Sequence, residues 1–160
     1  MRTRFTETQL GDPAIEQANG ILRACVHCGL CTSSCPTYRL LGDELDSPRG
    51  RIYLIKDMLE ADRPASATDV RHIDRCLSCL SCMTACPAGV NYMHLVDHAR
   101  SHIEQTHKRP LVERLIRDLL GRILPFPKRA GLAMKAAGLV RPLAGFMPGA
   151  LGRMAALAPP

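Results

Sequence analysis

The chain has 160 residues, room for one compact domain plus an extension; 46% are hydrophobic, but only 4% are aromatic and Trp is absent, so any core is aliphatic. Eight cysteines are many for an intracellular protein, yet Met1 to Glu7 is polar and lacks the apolar stretch of a secretory signal; this argues against a disulfide scaffold and for a reducing, cytoplasmic setting in which clustered thiols bind metal. The formal charge of +6 is uneven: residues 1–107 carry 11 Lys and Arg against 13 Asp and Glu, and residues 108–160 carry 10 against 2, so an acidic head (1–107) joins a basic tail (108–160).

Asp12-Pro13 predicts a helix start, with Asp as cap and Pro in the first turn, and Ile15, Ala18, Ile21 and Leu22 follow at helical spacing. Leu40 to Gly50 reads as a loop rich in Gly, Asp, Ser and Pro. Ile52, Ile55 and Leu59, with Leu54 and Met58, form one apolar face of a short helix that Arg63-Pro64-Ala65-Ser66 breaks. Thr68 or Asp69 is the expected cap of another short helix through Ile73. Asn91 is the expected cap of a longer one to about Thr106, with Leu95, Val96, Ala99 and Ile103 as its buried stripe. After Pro110, Leu111, Val112, Leu115, Ile116, Leu119, Leu120 and Ile123 mark a strongly amphipathic helix. From Pro125 onward Pro and Gly recur every few residues. No period-2 strand is evident, and the fold class is mainly α: a helical ferredoxin-type head followed by a helical, Pro/Gly-interrupted basic extension.

Between these elements one cysteine pattern occurs twice. Cys25-Val26-His27-Cys28-Gly29-Leu30-Cys31-Thr32-Ser33-Ser34-Cys35-Pro36 is the first run, and Cys76-Leu77-Ser78-Cys79-Leu80-Ser81-Cys82-Met83-Thr84-Ala85-Cys86-Pro87 is the second. Both fit the bacterial ferredoxin run C-x2-C-x2-C-x3-C-P, in which the fourth cysteine ligates the other cluster. Three cysteines two residues apart curl around one corner of a cubane, and Pro turns the fourth away toward a neighbouring site. The pattern therefore predicts two [4Fe-4S] clusters, one on Cys25, Cys28, Cys31 and Cys86, the other on Cys76, Cys79, Cys82 and Cys35. Each loaded site carries a charge of about −2, from a +2 core and four thiolates. Zinc and disulfides fit poorly, because zinc ligands come as two pairs split by a dozen or more residues. Forty residues of loop and helix separate Cys35 from Cys76, which favours a helical ferredoxin arrangement over the small βαβ one.

Several other residues have two readings. Val26, Leu30, Leu77, Leu80 and Met83 are placed to keep water off the clusters, and Thr32, Ser33, Ser34, Ser78 and Ser81 are candidate hydrogen-bond donors to sulfur. His94, His98 and His102 recur on one helical face, where a polar surface stripe is the better reading than a metal site. His27 is either a tuner of its cluster or a surface loop residue. Arg49 or Arg51 docks on the cluster region or on a partner's acidic surface, or faces solvent. The basic tail is a linker toward a further domain, a helix lying on an anionic membrane surface, or a nucleic-acid site; the last is disfavoured because no aromatics interleave with the charge, so no nucleic acid is expected. Lys135, Arg141, Arg153 and the prolines interrupt every apolar run, which excludes a membrane span. There is no glycine-rich dinucleotide loop, P-loop or nucleophile elbow. The chain reads as an electron wire with no substrate-binding catalytic site, its catalysis residing in a partner.

The sequence also resembles the glycolate oxidase iron–sulfur subunits. The resemblance is carried by the stretch from Ile21 to Gly29 around the first cysteines, by Pro36-Thr37-Tyr38, by Leu41 to Asp46 and Pro48 to Lys56, and by Asp74-Arg75-Cys76-Leu77 and Lys108-Arg109-Pro110-Leu111. It spans roughly residues 20–140, and Gly42 to Lys56 is its most specific part. It implies one-electron transfer from a flavin-bearing subunit that oxidises glycolate or a similar 2-hydroxy acid toward a membrane quinone or other acceptor; with the amphipathic basic tail, the expected location is cytoplasmic or peripheral on the inner face of the cytoplasmic membrane. Such subunits continue into a second region of Cys-Cys-Gly repeats, absent here, so the chain is expected to be a fragment or a truncated product. The rival readings are the iron–sulfur subunit of a related complex (anaerobic glycerol-3-phosphate dehydrogenase, lactate utilisation or heterodisulfide reductase) and a module whose clusters are structural or sense oxygen.

Overall fold

The computed structural model describes residues 1–140, and these are mainly helical, with no strand among them. The chain divides into two units, Met1–Lys108 and Arg109–Pro160.

The first unit is assembled from helices whose ends are written into the sequence. A single turn, α1 (Glu7–Leu10), is held by a capping box between Thr6 and Gln9. In α2 (Pro13–Ala24) the Asp12 carboxylate accepts the Ala14 N–H at 2.8 Å, and Pro13 occupies the first turn, where its missing N–H costs nothing. Short helices α3 (Leu30–Ser33) and α4 (Pro36–Leu41) follow the first cysteines. Gly42 ends α4 at φ +69, a backbone conformation that favours glycine. A 3₁₀ turn, Glu44–Asp46, leads into α5 (Pro48–Glu60). Helix α6 (Ala67–Asp74), the single turn α7 (Ser81–Thr84) and α8 (Tyr92–Thr106) complete the unit.

The core forms where α2, α5, α6 and α8 meet, with Leu22, Ile55, Met58, Ile73, Leu95, Ala99 and Ile103 fully buried. Each large aliphatic side chain so buried contributes about 1.5–3 kcal/mol. The expected stripe of α8, Leu95, Val96, Ala99 and Ile103, is buried throughout. The cysteine runs lie at the edge of this core rather than inside it, and Cys25 and Cys82 join it directly.

Three local expectations are corrected. The loop ends at Ser47, and Gly50 lies in the first turn of α5; Ser47 caps that helix by accepting the Gly50 N–H at 2.9 Å. Glycine is required there because a Cβ would overlap the Glu44 carbonyl of the 3₁₀ turn packed against it. Helix α6 is capped by Ser66, in a capping box with Asp69, not by Thr68 or Asp69, because the chain straightens directly after Pro64. In the second unit, α9 (Leu111–Ile123) is followed by a further helix, α10 (Pro127–Val140), through the region where Pro and Gly suggested interruption. Pro127 sits in its first turn, and Gly131 and Gly138 each cost a helix only about 1 kcal/mol. Leu111, Leu115 and Leu119 of α9 are exposed. No helix among the described residues is long and apolar enough to cross a membrane. The sequence beyond residue 140, including Arg141 and Arg153, lies outside the described residues.

Candidate metal centre

The two cysteine runs share a backbone course as well as a spacing. His27 and Gly29 flank Cys28 with φ of +55 and +84, and Ser78 and Leu80 flank Cys79 with φ of +51 and +59. Two left-handed residues around one cysteine fold the chain into a crest that carries that cysteine outward, and Cys28 and Cys79 are the two exposed thiols of the eight. A single helical turn then follows in each run, α3 or α7, and brings the third cysteine back toward the core. Glycine takes the last left-handed position of the first run at no cost, whereas Leu80 holds it in the second at about 1–2 kcal/mol of strain.

The eight sulfurs gather around two hollows. One is lined by Cys25, Cys28, Cys31 and Cys86, with Cys82 at its inner wall. The other is lined by Cys76, Cys79 and Cys82 of the second run and by Cys35 of the first. Cys82, Pro48 and Tyr92 border both, so these three residues form the wall between them. The Cys82 thiol is pushed up to about 12, first by burial and then by the neighbouring Cys76, Cys31 and Cys35. Cys31 is raised by burial and by Cys25, Cys86 and Cys28. Thiols so crowded and desolvated do not ionise alone; they need a cation to share. Cys79 is the opposite case, its pKa lowered by the backbone N–H and hydroxyl of Ser81 at the sulfur.

These donors fit iron–sulfur cubanes. All eight cysteines are free thiols, standing where thiolate ligands would. Among the described residues no three cysteine sulfurs lie within 4.8 Å of one another, whereas ligands on one tetrahedral zinc stand about 3.8 Å apart. A cubane spreads its thiolates wider because each binds a different iron.

The surroundings of the two hollows differ. Beside the first, His27 stacks on Tyr53 with ring centres 4.3 Å apart, and its Nε2 lies 2.8 Å from Met1 Sδ. Burial, with the positive charges of the N-terminus, Arg49 and Lys56, lowers the His27 pKa, which keeps the ring neutral. Arg49 Nε donates to Glu44 Oε1 at 2.7 Å from a half-exposed position.

Beside the second hollow lies a buried polar network. Arg51 is 1% exposed. Its Nε donates to the His72 carbonyl at 2.7 Å, its Nη2 to Thr37 Oγ1 at 3.1 Å and Asp46 Oδ1 at 3.5 Å, and its Nη1 to Cys35 Sγ at 3.9 Å. Asp46, with no exposed surface, also pairs with His72 Nδ1 at 2.9 Å and accepts from Arg75 Nη1 at 2.8 Å. Thr37 Oγ1 stands 3.2 Å from Cys35 Sγ, and the Tyr92 hydroxyl donates to Cys76 Sγ at 3.7 Å. From outside, Arg100 donates to the Cys76 carbonyl and to Ser78 Oγ, both at 2.7 Å, strapping the strained crest.

Of the hydroxyls expected at sulfur, only Ser81 is directed there. Thr32, Ser33 and Ser34 donate back to carbonyls of their own turn, Gly29, Leu30 and Cys31, and Ser78 accepts from Arg100. Val26, Leu30 and Leu77 are exposed rather than folded over the cysteines, because the crests lift them outward. The three histidines of α8 are not gathered: His94 is exposed and His102 bonds the Arg63 carbonyl at 3.0 Å. Thr37 and Asp46 lie in stretches that carry the family resemblance, but no spacing ties Thr37, Asp46, His72 and Tyr92 to the cysteines, since they belong to four separate elements.

Residues 21–90 match the family of 4Fe-4S dicluster domains, and they form such a domain, with [4Fe-4S] clusters as its cofactor. The chain is similar to the glycolate oxidase iron-sulfur subunit of Escherichia coli (strain K12), 53% identical over 127 residues, which cover 79% of this chain and 31% of that protein. It is 39% identical over 126 residues to the probable glycolate oxidase iron-sulfur subunit of Bacillus subtilis (strain 168), covering 75% of this chain and 28% of the relative. A more distant likeness, 28% over 90 residues, is to the succinate dehydrogenase iron-sulfur subunit of Coxiella burnetii, covering 52% of this chain and 38% of that one. The chain spans under a third of the length of the two glycolate oxidase relatives. No solved structure matches it.

Proposed function

We propose that this chain is the electron-carrying part of a glycolate oxidase iron–sulfur subunit, taking electrons one at a time from a flavin-bearing subunit that oxidises glycolate or a similar 2-hydroxy acid. Residues 1–107 form the cluster head, and residues 108–160 a basic extension. The observation that carries the reading is the composition of the two hollows: each has three cysteines of one run and the last cysteine of the other along its wall, with Cys82 touching the first hollow as well. The ligand sets are accordingly Cys25, Cys28, Cys31 with Cys86, and Cys76, Cys79, Cys82 with Cys35. Bound there, the clusters would supply one-electron redox chemistry, and the shared wall of Cys82, Pro48 and Tyr92 keeps them close enough for tunnelling. The polypeptide holds the ligands, keeps water from the inner corners and presents Cys28 and Cys79 at the surface.

The acceptor side is a quinone at a membrane. The exposed leucines of α9 and the charge of the tail support a peripheral position on an anionic surface.

Two measurements test the reading. In anaerobically prepared protein, Cys86→Ser should alter the EPR signal of the same cluster as Cys28→Ser, and Cys35→Ser that of the same cluster as Cys79→Ser; the opposite grouping refutes the ligand sets. Glycolate with the flavin subunit should bleach the visible absorbance of this chain, and glycolate alone should not. Failure to bleach with an active flavin subunit refutes the partner.

A further inference from the structure

We propose that the buried guanidinium of Arg51 makes the cluster on Cys76, Cys79, Cys82 and Cys35 the higher-potential one of the two, the site where an electron entering this chain comes to rest. This rests on the ligand sets proposed above.

The first support is position. Arg51 lines the second hollow, is 1% exposed, and is fixed on four sides by Cys35 Sγ, Thr37 Oγ1, Asp46 and the His72 carbonyl. It cannot turn out to water.

The second support is reach. Arg51 and Arg75 both meet the Asp46 carboxylate, and the exposed Asp43 carboxylate lies within 4.8 Å of Asp46 and His72. Of these groups Arg51 is the one whose guanidinium donates to a cluster ligand, from Nη1 to Cys35 Sγ. A loaded site of charge about −2 on that ligand would attract the guanidinium, and reduction, which adds one more negative charge, strengthens the attraction.

The third support is asymmetry. Beside the first hollow the positive groups are the N-terminal ammonium, Arg49 and Lys56; Arg49 is matched by Glu44 and Lys56 by Glu60, and the ammonium and the Arg49 pair are partly open to solvent. An exposed, neutralised pair exerts little field on a neighbour. The two centres therefore share their ligand type but not their electrostatics, and buried charge is one of the main influences on the potential of such clusters.

The test is an anaerobic redox titration of the full chain followed by EPR, with Cys79→Ser marking the step that belongs to the second cluster. Arg51→Gln should lower the reduction equilibrium constant of that step about tenfold, equivalent to about 59 mV for one electron, and leave the other step in place. Arg51→Lys should keep most of the wild-type value. Arg75→Gln, which removes a cation with an exposed outer edge and so leaves the fold intact, should move the same step in the same direction by a smaller amount. If Arg51→Gln retains about eight irons, two cubanes' worth, and leaves that step unmoved, or moves both steps equally, the inference is overturned while the ligand sets stand. If Arg51→Gln does not hold its iron, Arg75→Gln decides, and an unmoved step refutes the inference. If Cys35→Ser and Cys79→Ser change different steps, the ligand sets are wrong and the inference falls with them.

Discussion

The carboxylate of Asp46 is the best place to measure what the buried network contributes, and Asp46→Asn is the perturbation. Asparagine keeps the shape and some of the hydrogen bonds but removes the charge. Burial by itself would raise the pKa of Asp46; the hydrogen bonds of His72 and Arg75 outweigh it and hold the carboxyl below its ordinary range, so the group is ionised. Once it is neutral, Arg75 turns toward solvent from its partly exposed position, whereas Arg51 has nowhere to go. Orphaning a buried charge costs about 3–5 kcal/mol, and the nearby cluster offsets part of it, which points to the lower end, about 3 kcal/mol. For a unit of this size, about 4 °C or more is lost per kcal/mol, a fall of roughly 12 °C in the melting midpoint. The assay is an anaerobic thermal melt followed by far-UV circular dichroism and by loss of the cluster absorbance. The double variant Asp46→Asn/Arg51→Met should recover most of the loss, because removing both charges is far less costly than removing one. A single variant that melts within roughly 2 °C of wild type would show that the carboxylate is not the counterion described here.

Three further outcomes are expected. Leu80→Gly should raise the midpoint, because it relieves a left-handed leucine worth about 1–2 kcal/mol of strain; an unchanged or lower midpoint would mean that the leucine's packing outweighs its strain. Asp69→Asn removes the reciprocal cap of α6 and the partner of Arg63 and should cost about 1–2 kcal/mol. Burial opposes ionisation of Asp69, but Arg63 and Ser66 win and depress its pKa below the ordinary 3.8, so this contribution is complete above 3.8 and is lost as pH falls through the lower folded value. The deficit of the variant should therefore be constant from about pH 8 to pH 5, and a deficit that shrank across that range would contradict the assignment. Arg100→Ala removes the strap from the Cys76 carbonyl and Ser78, and should speed the release of about half the iron to a chelator while the other half keeps its rate, since one of two cubanes is affected.

Periodicity and capping chemistry made the helical fold legible. The Asp12-Pro13 start, the apolar face of α5 and the stripe of α8 each rest on short-range rules that hold whatever the chain packs against. The extra helix α10 was not legible, because two glycines and flanking prolines lower helix propensity without forbidding a helix. At the metal centre, the cysteine spacing is a local signal, and so is Gly29, whose left-handed backbone is typical of glycine. Its counterpart Leu80 and the paired residues His27 and Ser78 adopt the same conformation with no composition to announce it. Arg51 shows the limit most clearly. Neighbouring Arg49 has the same chemistry and faces the solvent-edge pair with Glu44, and only the way α5 packs against α6 and the 3₁₀ turn decides which arginine is enclosed.

The crests at Cys28 and Cys79 carry a consequence for durability. With the ligand sets proposed here, each centre has three sulfurs set toward the protein and one at the surface, so its outward corner is the shortest way across for an electron and also the first part that dissolved oxygen or a chelator reaches. Conductance and fragility share one address. A partner that docks over those crests shields the centres while it exchanges electrons with them, and the same molecule standing alone in air should lose iron from those two corners first.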